Sequence, residues 1–289
     1  MATEPTPPAA AAPPRYSLPP VRLPPEDILF CVDVDLEALA EMKPAAAPAS
    51  SGSTSSTSSP QPAGPARAGA GTGTGPRPAV RRMDAVKQAV LLFVHSKLAM
   101  WPDHRFAFAS LGETVSMVKK DFSSDASSAM EAIHSMSASE SRFAMADLTQ
   151  LFKIAYQEGK RAESQGRILR VVLIYCRSST KPQHHWPTKE KNFTLDVIYL
   201  HDKPSADNCP QKVYDVLVDA LEHVSQYEGY ILETGQGLAR VLFRQMCILL
   251  SHPLQRCMQD DLDFPKQVVK KTLADEAAQN EDGAPVSSQ

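Results

Sequence analysis

Residues 28–33, Ile28-Leu29-Phe30-Cys31-Val32-Asp33, decide the fold. A continuous apolar run with β-branched residues at both ends, closed by a carboxylate, is the pattern of a strand buried on both faces, as in parallel sheets. A little further on, residues 44–80 contain only Pro, Ala, Ser, Thr, Gly, Gln, Arg and Val. Without aromatic, Leu or acidic residues, that segment lacks the apolar surface needed to offset its ordering entropy. A lone buried strand does not fold alone, so residues 28–33 must pair with strands beyond the segment. The stretch 44–80 therefore reads as a disordered insertion after the first strand of one domain. Loop-closure cost grows slowly enough with length for such an insertion to be tolerated.

Beyond it, two periodicities alternate. Met83, Val86, Val90, Phe93, Val94 and Leu98 trace one helical face. Arg105–Leu111 reads as a strand, and Thr114–Val118 as another after a turn at Gly112. A helix is expected over Ser123–Met136, and a firmer one through Leu148, Leu151, Phe152, Ala155 and Tyr156. Ile168–Cys176 is the strongest strand of the chain and Phe193–Leu200 the next. A helical stripe at Val213, Leu217, Ala220, Leu221 and Val224 precedes a short strand at Gly229–Glu233 and a helix over Leu238–Leu250. Strands alternating with helices define an α/β fold, a doubly wound, mostly parallel sheet with helices on both faces.

The chain has 289 residues, 43% hydrophobic and 22% charged, an ordinary globular balance. Its 24 prolines are many for a compact domain and concentrate in the low-complexity parts. We expect a disordered tail at 1–24, a domain at 25–258 carrying the 44–80 insertion, and an acidic, largely disordered tail at 259–289. A formal net charge of -3 leaves no basic footprint for direct nucleic-acid binding. Basic pairs such as Arg81-Arg82 suit solvated faces. The five cysteines are scattered; Cys31, Cys176 and Cys247 lie in apolar runs and read as core thiols. With no apolar leader core and no stretch long enough to span a membrane, a reducing compartment is expected, cytoplasm or nucleus.

Ligands of such sheets sit outside the carboxyl ends of the strands. Asp33 ends the first strand, and Asp35 and Glu37 follow at alternate positions. One reading is a haloacid-dehalogenase-like phosphatase, with Asp33 as nucleophile and Asp35 moving protons. Glu37 stands where that motif usually has Thr or Val, and no Gly-rich phosphate cradle follows. A second is a magnesium-binding von Willebrand A adhesion module, whose D-x-S-x-S hydroxyls suit a hard cation. Here Asp35 and Glu37 replace both serines, Ser141 is the hydroxyl where a Thr is expected, and Arg177 stands where a later Asp is expected. A guanidinium about 5 Å from a divalent ion costs roughly 6–7 kcal/mol at an effective dielectric of about 20. The third reading is a surviving fold with degenerate metal positions, no metal and no cofactor. No nucleophile elbow, Walker loop or zinc-protease helix appears, and His184-His185-Trp186-Pro187 reads as an exposed loop. The chain is expected not to be an enzyme.

Three stretches resemble one family. Residues 247–256, ending His252-Pro253-Leu254-Gln255-Arg256, are similar to a segment of the MERIT-forty-like von Willebrand factor A-like subunit of the BRISC and BRCA-one-A deubiquitinase assemblies. Residues 25–33 resemble that family's first strand and 195–201 its penultimate one. The insertion departs from the animal members and points to a plant-like relative. The resemblance implies a von Willebrand factor A-like fold and a non-catalytic scaffold. Such a subunit supports a JAMM-type zinc protease that cuts lysine-sixty-three-linked ubiquitin chains. It grips directly a subunit built from ubiquitin-conjugating-enzyme-variant domains, and the animal complexes act in DNA-damage signalling in the nucleus and on other substrates in the cytoplasm. It also favours His252–Arg256 as a docking peptide, a rigid proline and a charged fork beyond a helix. The alternative is a plain helix stop, with Arg256 meeting the last carbonyls.

Overall fold

The computed structural model describes residues 23–42, 80–235 and 239–262. The expected tails, and the insertion apart from Val80, lie mainly outside these residues. Six strands form one sheet: β1 (Glu26–Asp33), β2 (Arg105–Leu111), β3 (Val115–Ser123), β4 (Ile168–Tyr175), β5 (Phe193–Leu200) and β6 (Ile231–Thr234). Their order is β6-β5-β4-β1-β2-β3, all parallel except β3, which turns back antiparallel on β2. β1 thus lies at the centre of strands that follow residue 80. Met42 pairs with Val80 and Glu41 with Arg81, so the segment between them leaves and re-enters the fold at one place.

Among the described residues five helices flank the sheet: α1 (Arg82–Met100), α2 (Ala126–Ser135), α3 (Thr149–Ser164), α4 (Pro210–Val224) and α5 (Ala239–Ile248). Alternation along the central strands sorts their side chains between two layers. Leu29 and Cys31 of β1, Val171 and Leu173 of β4 and Leu195 and Val197 of β5 join Leu151, Phe152 and Ala155 of α3 and Leu217 and Ala220 of α4. On the other face Phe30 stacks on Phe108 and meets Phe93 of α1 edge-on, with ring centroids 5.9 and 5.4 Å apart. A fully buried Phe contributes about 1.5–3 kcal/mol, so this trio fixes how α1 sits on the sheet.

Local chemistry sets the ends. Asp125 caps α2, accepting from the N–H groups of Ser127 and Ser128, so the helix starts later than Ser123. Gly166 has φ +66, the left-handed residue that closes α3, where a side chain would be strained. β3 runs on past Val118 through Lys119, Lys120 and Asp121, because an edge strand covered on one face tolerates charge. Cys247 is exposed, not a core thiol, because α5 buries Leu242, Gln245 and Met246 and Cys247 falls off that stripe. Cys31 and Cys176 are buried. Among the described residues no helix is long and apolar enough to cross a membrane. Residues 257–262 form a separate unit with an exposed 3₁₀ turn at Gln259–Asp261.

Candidate functional site

The carboxyl ends of β1 and β4 bring Asp33, Asp35, Glu37 and Arg177 together. Arg177 Nε lies 3.1 Å from both Asp33 oxygens and Nη2 3.0 Å from Oδ1. The Arg177 side chain is 1% exposed and that of Asp33 0%. Asp33 also accepts from the N–H groups of Asp35 and Cys176, both at 3.1 Å. The remaining Arg177 donors reach the carbonyls of Met145 and Gly112, each at 2.5 Å, and Nε stands 3.8 Å from Asp35 Oδ2. Complete burial pushes the Asp33 carboxyl above its ordinary range, while Arg177 and the two N–H groups pull it back. Against the desolvation that lowers it, the Asp33 carboxylate holds Arg177 above the usual arginine value.

The other two acids are equally engaged. Asp35 Oδ1 caps the 3₁₀ turn Leu36–Leu39 by accepting from Glu37 N–H, and Oδ2 accepts from Phe143 N–H at 2.7 Å. Glu37 Oε2 accepts from both the N–H and the hydroxyl of Ser178, at 2.9 and 2.7 Å, and Oε1 lies 3.4 Å from Arg142 Nη1. Ser141 stands on the rim, its N–H donating to Ser139 Oγ, while Ser139 N–H donates to Val34 O. Arg82, expected on a solvated face, is buried here: Nη2 pairs with Asp202 Oδ1 at 2.5 Å, and Nη1 donates to the carbonyls of Glu37 and Cys176. Beside this crevice, Ser179, Lys181, Ser205, Asn208 and Lys212 line an open depression of about 380 Å³.

This arrangement answers both chemical readings of the acidic run. A phosphoryl group has no approach to Asp33, which is enclosed and ion-paired. A divalent cation needs several free oxygens at about 2.0–2.6 Å. Here a guanidinium lies against both Asp33 oxygens, both oxygens of Asp35 and Oε2 of Glu37 already take protein donors, and the Arg142 guanidinium stands beside Oε1. The residues present do not fit a metal at this position.

The segment His252–Arg256 lies elsewhere, among residues at the amino-terminal end of the sheet. His252 Nε2 lies 3.0 Å from the Pro24 carbonyl, and its Nδ1 accepts from Leu254 N–H. Pro253 is buried; Leu254 and Gln255 are exposed. Arg256, expected as a charged fork for a partner, turns inward: its side chain is 0% exposed and pairs with Asp196. It also donates to the Glu228 carbonyl at 2.9 Å, with its guanidinium carbon 4.4 Å from the Tyr230 ring centre. The pair ends a buried chain of charges. Glu26 contacts Lys97 and, at 3.2 Å, Arg170; Arg170 reaches Asp196 at 2.5 Å. A sequence signal for this chain existed: Arg170 and Asp196 are opposite charges set inside the two most apolar strands.

The strand order, the single antiparallel edge strand and the helices on both faces define a von Willebrand factor A-like α/β fold. No family model matches the chain, and no curated protein matches it in sequence. Among solved structures, the chain is similar to the SpRpn10 VWA domain, with 12% identity over 77% of this chain and 95% of that one, TM-score 0.46. It is similar to BatB from Bacteroides thetaiotaomicron, with 9% identity over 78% and 99%, TM-score 0.41. It is also similar to the PilB minor pilin from Streptococcus sanguinis, with 8% identity over 80% and 62%, TM-score 0.47.

Proposed function

We propose that this chain is a non-catalytic scaffold subunit of a JAMM-type deubiquitinase assembly that cuts lysine-sixty-three-linked ubiquitin chains. It would act in the nucleus, in DNA-damage signalling, and in the cytoplasm. The observation that carries the non-catalytic part is Arg177 lying on Asp33, which leaves that carboxylate enclosed and ion-paired and the acidic run without a place for a metal. The choice of assembly rests on the likeness of residues 25–33, 195–201 and 247–256 to the MERIT-forty-like subunit. The neighbour gripped directly is a subunit of ubiquitin-conjugating-enzyme-variant domains. Within the candidate docking segment, Leu254 and Gln255 face outward, while Arg256 and His252 brace the turn from beneath.

The test is affinity purification of the tagged full chain from cells, with identification of co-purifying subunits and a cleavage assay on lysine-sixty-three-linked diubiquitin. A JAMM zinc protease and a variant-domain subunit in the eluate, with cleavage lost on zinc chelation, are expected. Their absence from an eluate of folded protein would overturn the assignment. Phosphomonoester turnover abolished by Asp33→Asn would replace it with the phosphatase reading.

A further inference from the structure

We infer that Arg177 is a tethered cation that gathers the loops at the carboxyl end of the sheet as a divalent metal would, so that this crevice is closed and used without metal. One guanidinium meets groups from three places in the chain, Asp33 at the end of β1, Gly112 after β2 and Met145 before α3, and its own backbone ties them to the end of β4. Two of these are carbonyl oxygens turned onto separate guanidinium nitrogens. A carboxylate at position 177, the residue type that a metal site would place there, could donate to neither carbonyl. The planar fork of arginine supplies five N–H donors, and here they divide between a carboxylate and main-chain acceptors. The Phe143 and Tyr175 rings flank the guanidinium, with centroids 5.5 and 5.9 Å from its central carbon. Phe143 is itself held by its N–H to Asp35, and its ring is what a Cβ on Gly112 would meet at 3.4 Å.

Without Arg177, two carboxylates and two inward carbonyls would face each other with no positive charge between them. A cation of the right shape supplied from solution should then be able to take its place. The inference does not depend on which complex the chain enters, and failure to find a deubiquitinase would leave it untouched.

The experiment uses the full chain and reads the thermal midpoint by circular dichroism, alongside calorimetric titration with magnesium and calcium chloride. The wild type should give no saturable heat, and its midpoint should be the same in millimolar magnesium and in chelator. Arg177→Met should lower the midpoint by about 10 °C, with Arg177→Lys falling between it and the wild type. Arg177→Gly should recover part of its loss in millimolar ethylguanidinium, more than the wild type gains and more than ethylammonium supplies. Saturable magnesium or calcium binding by the wild type that raises its midpoint would overturn the inference. So would an Arg177→Met variant with the wild-type midpoint, or a folded Arg177→Gly variant indifferent to ethylguanidinium. Should the glycine variant not fold, the wild-type titration and the methionine and lysine variants decide the matter.

Discussion

Arg256 meets Asp196 in a two-point pair, Nη1 2.6 Å from Oδ1 and Nη2 3.0 Å from Oδ2, with neither side chain reaching solvent. The pair fastens the turn after α5 to β5. Removing one partner of a buried ion pair costs about 3–5 kcal/mol where the other charge is stranded; Asp196 keeps Arg170 at 2.5 Å, so the loss here falls at the lower end of that range. Arg256→Ala should therefore lower stability by that order in a denaturant titration, before any partner is added. Arg256→Lys should recover little, because it loses both the two-point geometry and the stacking on Tyr230. An Arg256→Ala variant of wild-type stability that fails to capture a partner would return the residue to a docking role.

The charges at the amino end of the sheet make the fold sensitive to acid. Burial drives His104 down to about 4, and its Nδ1 accepts from Glu26 N–H at 3.0 Å, which requires the neutral ring. The groups facing it are Glu26, Lys97 and His252, with Trp101 alongside. A depressed histidine contributes stability that is complete above its unfolded value near 6.5 and is lost as pH falls from there to about 4. Burial would raise Glu26 and Asp196, but Arg170 with Lys97, and Arg170 with Arg256, hold them below their ordinary values of 4.5 and 3.8. Their contribution is complete above those values and is lost as pH falls further. The contribution of this cluster should thus decline in two stages below pH 6.5, against the opposite slope of Asp33, and His104→Asn should flatten the upper stage, worth on the order of 1–3 kcal/mol. A stability difference between wild type and His104→Asn that does not change between pH 6.5 and 4 would contradict this.

What the sequence made legible follows burial on both faces. β1, β4 and β5 are continuous apolar runs and could be read directly, as could the helical stripes of α3 and α4. The second half of β3 could not, because Lys119-Lys120-Asp121 erases the apolar pattern on an edge strand that needs only one covered face. Among the site residues, Asp33, Asp35, Glu37 and Arg177 were legible because each follows a recognisable strand. The inward turn of Arg256 was not: its partner lies 60 residues away in sequence, and charged side chains read by default as solvated. The same default hid Glu26, Lys97, Arg170 and the burial of Arg82.

Gly229 sits where two backbones approach. A Cβ there would lie 2.2 Å from the Leu195 carbonyl oxygen and 3.0 Å from Ser225 Oγ. The obstacle is main chain of β5, held in the sheet, and cannot swing aside as a side chain tip would. Gly229→Ala should destabilise the fold by about 2 kcal/mol or more, read as an earlier denaturant midpoint. An unchanged midpoint would mean that the chain before β6 yields freely.

Leu254 separates folding from docking. It is 43% exposed beside the buried Pro253, on a turn braced by His252 and Arg256. A surface substitution away from packed features usually shifts stability by less than about 0.5 kcal/mol, so Leu254→Asp should unfold like the wild type. An apolar residue seated in a partner's pocket commonly costs about 1–3 kcal/mol when it is removed, or at least a several-fold weakening. If residues 252–256 present the docking surface, Leu254→Asp should lose the variant-domain subunit in the same purification while keeping its thermal midpoint. Full retention of that subunit by a normally folded Leu254→Asp would reduce the turn to a helix stop, with Arg256 as its internal brace.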